Sequence, residues 1–178
     1  RYDPKWIFYA DADERFEGNI RELLLSDQSE KIDGIKIQLF DAYITPTDQK
    51  GYIEGSLYNF RKYFGPERRD ILMIWRNTPA AKFAGLIQRE PQLGEDKNIV
   101  AQFFCQHYGK SISIDQWEET CRFYATHFPE PYQSKWKNRQ GKAIHQVSDF
   151  GQKLYPWGRE LFSNSIPMSE IEKQLSKQ

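Results

Sequence analysis

An apolar run that stops abruptly at three carboxylates constrains this chain more than any other feature. Trp6-Ile7-Phe8-Tyr9-Ala10 has the residue types of a buried strand, and Asp11, Asp13 and Glu14 follow at once. A strand holds its last residues rigidly, and in open α/β sheets ligands bind outside the carboxyl ends of the strands. Asp-x-Asp at such a place offers two hard oxygen donors on one side of a turn. Mg²⁺ or Mn²⁺ suits that arrangement, because these ions accept few protein carboxylates and share their other positions with phosphate and water. A solvated acidic turn is the competing reading of the same residues.

Hydrophobic periodicity predicts an α/β chain around this stretch. Ile20, Leu23 and Leu24 fall at i, i+3 and i+4, which predicts a short helix over residues 19–25. Residues 34–40 alternate apolar and polar, the pattern of a half-buried strand. Residues 41–59 carry Thr45-Pro46-Thr47-Asp48, Gly51 and Gly55 and read as a long loop, a lid or acceptor-binding segment. Its Tyr43, Tyr52 and Tyr58 would either meet a ligand or pack the loop down. Residues 65–70 read as a turn. Residues 71–75 are apolar throughout, a strand buried on both faces that ends at Arg76. A further strand is expected over residues 81–87, delivering Gln88-Arg89-Glu90-Pro91. Another spans residues 98–108 with Cys105 and His107 on one face. Ser113 and Gln116 have the spacing of a capping box. The helix they open carries Ile114, Trp117, Cys121, Tyr124, Ala125 and Phe128 on one stripe until Pro129 and Pro131 end it. Residues 133–178 read as irregular, with one short helix from about Ser169.

Composition removes whole classes. The 178 residues suffice for one domain with a core, and 39% hydrophobic with 28% charged residues is globular, not disordered. Lys+Arg and Asp+Glu stand at 25 each, so nucleic-acid binding by bulk charge is excluded. Two cysteines point to a reducing compartment; the expectation is a cytoplasmic chain, held at most peripherally at an inner membrane. No apolar run reaches membrane-spanning length. Zinc on Cys105, His107, Cys121 and His127 fails, because Cys121 and His127 stand ~240° apart around one helix. An EF-hand fails because Phe16 stands where that loop needs Gly. Lys135, Lys137, Arg139 and Lys142 surround Trp136 as either a flexible lid or a solvated charge run.

Trp6-Ile7-Phe8-Tyr9-Ala10-Asp11-Ala12-Asp13-Glu14 resembles the W-I-x-x-x-D-A-D-E stretch of family 2 glycosyltransferases of the GT-A fold. Later residues follow the order of the bacterial lipopolysaccharide-core type. Arg76 closes one apolar run, Arg89-Glu90 follows the next, and His107-Tyr108-Gly109 ends the third. Arg89 departs from the family, which has His before the Glu. Haloacid-dehalogenase-like phosphatases also place Asp-x-Asp after a strand, but Arg15 stands where they usually carry Thr or Val. The glycosyltransferase resemblance covers about residues 5–128.

The resemblance implies an α/β fold, a GT-A-like mixed sheet flanked by helices, forming the C-terminal portion of a full domain. Residues 1–128 would be the catalytic core and 129–178 a tail or lid. Upstream of Arg1 it implies a nucleotide-binding half of roughly 80–100 residues. It implies that Asp13 and His107 hold Mn²⁺ or Mg²⁺ and that Asp11 faces the metal or the donor's ribose. Glu90 would be the general base, with Glu95 and Asp96 as rivals, and Arg76 or Arg89 would orient phosphate, sugar or acceptor. The expected function is transfer of a sugar from a nucleotide-sugar donor to a carbohydrate or other acceptor hydroxyl, with inversion. Leaving-diphosphate charge must be neutralised and the acceptor hydroxyl deprotonated, and these residue types supply both. The alternative is a nucleotide-sugar or carbohydrate binding module that does not turn over.

Overall fold

A computed structural model describes residues 3–85 and 88–175. In chain order they form β1 (Trp6–Phe8), β2 (Glu14–Glu17), α1 (Ile20–Leu25), a 3-10 turn (Asp27–Lys31), β3 (Gly34–Tyr43), β4 (Tyr63–Arg76) and β5 (Ile99–His107). Then come α2 (Ile114–His127), α3 (Tyr132–Lys137), β6 (Tyr155–Pro156), α4 (Arg159–Ser163), β7 (Ile166–Pro167) and α5 (Met168–Leu175). The strands form a mixed seven-stranded sheet of order β1-β4-β3-β5-β2, with β6 and β7 also paired to β4. The α/β class and the mixed sheet agree with the sequence. No described helix is long and apolar enough to cross a membrane. The chain divides into two compact units, residues 1–39 with 69–105 and residues 40–68 with 106–178.

In the first unit, α1 forms as its periodicity predicts, with Asn19 accepting from the Glu22 amide at its start. Leu23 packs with Ile35, Ile37, Leu39, Met73, Ile74 and Cys105 in one core. Met73 and Ile74 are adjacent and both fully buried, which a strand achieves only when both its faces are covered. The strand at the acidic stretch differs from expectation. It has three residues, lies at the edge of the sheet antiparallel to β4, and leaves Phe8 and Tyr9 exposed. Ile7 opposes Trp75, and the Tyr9 amide donates to the Met73 carbonyl at 2.9 Å, so pairing with β4 fixes the approach to the turn. The strand expected over residues 81–87 does not form across its described part, which has only an isolated bridge from Lys82 to Gln92; Leu86 and Ile87 lie outside the described residues. Gly18 is required: its φ is +107°, and a Cβ there would sit 2.5 Å from the Phe103 ring.

The second unit corrects two readings. Residues 65–70 do not turn; they continue β4, because Glu67 and Arg68 pair with β7 and Tyr63 and Phe64 pair with β6. Gly65 permits this, since a Cβ would lie 2.9 Å from the Tyr43 ring. The tail has the short helix expected from about Ser169, as α5, and adds α3, α4, β6 and β7, which the sequence did not predict. Trp157 packs on Phe64 and Phe40 at ring separations of 5.0 and 5.8 Å, and Phe162 of α4 closes against Trp157 at 5.1 Å. The basic stretch begins as helix α3, and Trp136 stacks on Tyr124 of α2 at 4.8 Å. That docking makes residues 132–137 a helix packed on α2, where the sequence left a lid or a solvated charge run open. Helix α2 itself is as predicted, with the Ser113 hydroxyl accepting from the Gln116 amide and Trp117, Cys121 and Ala125 buried.

Candidate functional site

Pairing with β4 ends just before Ala10, and the chain turns through Asp11, Ala12 and Asp13 into β2. The three carboxylates do not point the same way. Glu14 is 2% exposed, and its Oε2 accepts the Asp11 amide at 2.8 Å. Arg89 donates from one terminal nitrogen to both Glu14 oxygens, at 2.6 and 2.8 Å. Its other terminal nitrogen lies 3.3 Å from Asp11 Oδ2, and its guanidinium lies 5.3 Å from the Tyr9 ring centre. Burial disfavours the guanidinium charge, but Glu14 and Asp11 outweigh it and raise the Arg89 pKa. Arg15 donates to the carbonyls of Ala12 and Glu14 and tightens the same turn. Asp11 stays exposed and Asp13 half-buried.

Glu90 follows Arg89 and is exposed. One of its oxygens accepts the Leu72 amide at 2.7 Å. It lines a cleft of about 430 Å³ with Lys36, Gln92, Gly94 and its rival Glu95. The other rival, Asp96, sits in a left-handed turn at φ 55°. Arg76 donates to the carbonyls of Ile32 at 2.8 Å and Ser29 at 2.6 Å and covers the Trp6 ring at 4.7 Å. These contacts close the 3-10 turn onto β4.

His107 ends β5 as predicted and belongs to the second unit. Its Nδ1 meets Asp41 Oδ1 at 2.6 Å. Asp41 opens into a half-buried charge cluster that the sequence did not reveal. Lys110 reaches Asp149 at 2.7 Å, Tyr43 at 2.9 Å and Asp41 at 3.2 Å. Arg139 reaches the same Asp149 oxygen at 2.7 Å, and His145 approaches the other at 3.3 Å. Burial opposes charge on Asp149, yet the His145 hydrogen bond with Lys110 and Arg139 holds its carboxyl well below the usual carboxylate range. Burial pushes the Tyr43 phenol up to about 12, so it remains a neutral hydroxyl that accepts from Lys110. Glu67, buried and bonded to the Ser148 hydroxyl, has its pKa raised, mainly by burial.

Among the described residues no group of three or more His, Cys, Asp or Glu is assembled to hold a metal ion. The donors at the acidic turn still fit an ion of the Mg²⁺ type, which needs one or two carboxylates and takes its other oxygens from phosphate and water. Of the three carboxylates, Glu14 is turned inward, Asp11 faces Arg89 and Asp13 is half-buried. The Arg89–Glu14 pair left no trace in local pattern. Lys110 stands three residues past His107 and Asp149 within Ser148-Asp149-Phe150-Gly151; neither spacing announces a pair. Comparison with protein-family models, with curated proteins and with solved structures gives no match to this chain.

Proposed function

We propose that this chain carries the catalytic core of a metal-dependent, inverting glycosyltransferase of GT-A-like fold. It would move a sugar from a nucleotide-sugar donor to a carbohydrate or other hydroxyl acceptor. One observation carries the reading: a strand end runs into exposed Asp11 and half-buried Asp13, while Glu14 is locked inward by Arg89. Asp13 would hold Mn²⁺ or Mg²⁺. When bound, the ion neutralises the charge of a leaving diphosphate. Glu90, exposed on its cleft, is the base for the acceptor hydroxyl. The test is Mn²⁺-dependent binding of a nucleoside diphosphate by calorimetry. Asp13→Ala abolishes it if the reading is right, and unchanged binding refutes the metal role.

A second reading has one observation in its favour. The Glu90 oxygen committed to the Leu72 amide is used structurally, as in a nucleotide-sugar or carbohydrate binding module that does not turn over. Donor hydrolysis or transfer by the intact protein separates the two.

A further inference from the structure

The arginine at the acidic turn is placed to shape the turn, not to touch a ligand. Arg89 arrives from 75 residues further along the chain and spends both terminal nitrogens on the turn's own carboxylates. The Glu14 side chain it holds is itself the acceptor that closes the turn onto the Asp11 amide. Releasing Glu14 would strand a buried carboxylate, and that is costly enough to fix its orientation. The segment bearing Arg89 is anchored on its other side. Glu90 grips the Leu72 amide, and Lys82 and Gln92 exchange backbone hydrogen bonds at 3.0 and 2.8 Å. The guanidinium is therefore held from behind and in front.

We infer that Arg89 is a positioning residue, acting through Glu14 and Asp11 to set the conformation in which Asp13 meets a divalent cation and a nucleoside diphosphate. This rests on the proposed function of the acidic turn. Only a planar fork spans Glu14 and Asp11 at once; a lysine has one nitrogen and reaches one of them. Groups that orient a metal ligand typically change metal affinity by about 10–100-fold when mutated.

The experiment uses the intact protein with Arg89→Lys, Arg89→Gln, Glu14→Gln and the Arg89→Gln/Glu14→Gln double variant. Mn²⁺ affinity is read by paramagnetic resonance of the free ion. Affinity for ADP, GDP, CDP and UDP in the presence of Mn²⁺ is read by calorimetry, and urea unfolding reports the fold of each variant. Arg89→Lys is expected to stay folded and to weaken Mn²⁺-dependent binding by about 10-fold or more. The double variant should lose less than the product of its single losses, because both singles break one pair. Wild-type affinity in Arg89→Lys, or single losses that multiply in the double variant, overturns the inference. If the wild-type protein binds neither Mn²⁺ nor any of the four nucleotides, the reading of the turn as a donor site is what fails. The urea cycle then decides the remainder: coupling between Arg89 and Glu14 supports the clamp, and additivity overturns it.

Discussion

Arg61 offers the sharpest test of how the second unit holds its loop. The side chain is fully buried, yet every direction of its fork has an acceptor. It donates to the Ser111 carbonyl at 2.7 Å, the Asp48 carbonyl and carboxylate at 3.1 Å each, and the Ile112 carbonyl at 3.3 Å. The same guanidinium lies 4.3 Å from the Phe60 ring centre. It thus ties the segment around Asp48 to the turn after β5. Burial lowers the Arg61 pKa, and Asp48 only partly offsets that. Removing the side chain in Arg61→Ala leaves Asp48, 11% exposed, without its ion pair and takes the donor from the carbonyl of fully buried Ser111. Breaking one partner of a buried pair costs about 3–5 kcal/mol. In a chain of this size, that lowers the thermal midpoint by roughly 6–20 °C. Calorimetric scans of Arg61→Ala, Asp48→Ala and the double variant check the reasoning. The double variant should be less destabilised than the two singles added, because it removes both charges together. A loss below about 1 kcal/mol in Arg61→Ala, the level of an exposed ion pair, would refute the argument; so would simple additivity.

The remaining predictions concern the base and the buried acid. Glu90→Gln keeps the shape of the side chain and removes its basicity, so turnover should fall by roughly 10²–10⁴-fold while donor affinity holds; loss in Glu95→Gln or Asp96→Asn instead would name another carboxylate. Proton NMR of the product should show inverted anomeric configuration, and retention would rule out single displacement. Glu67→Gln should raise stability at neutral pH. Because the folded-state pKa of Glu67 is raised, its contribution is fully favourable below its ordinary value of 4.5 and is lost as pH rises through the folded value. Urea midpoints of the two proteins should therefore converge as pH falls towards 4; a gap that widens on acidification contradicts this.

The sequence determined what local pattern can encode. The capping pair Ser113 and Gln116, the stripe of α2, the apolar face of α1, the alternation of β3 and the arrival of His107 at a strand end all follow from periods of 3.6 and 2, and the structure has each of them. The Asp-x-Asp and its position after a strand were equally legible. Tertiary structure decided what depends on partners distant in sequence. Gly65 and Pro66 read as a turn because their own chemistry favours one, but β6 and β7 pair alongside and keep β4 extended. The tail looked irregular because no single stretch of it is periodic, and its order comes from Trp157 and Phe162 meeting Phe40 and Phe64. The roles of charged residues lay furthest from reach. Arg89 could have faced substrate, and Lys110 solvent, on any local argument; what fixes them is Glu14, buried where an unpaired charge could not remain, and the largely covered carboxylate of Asp149.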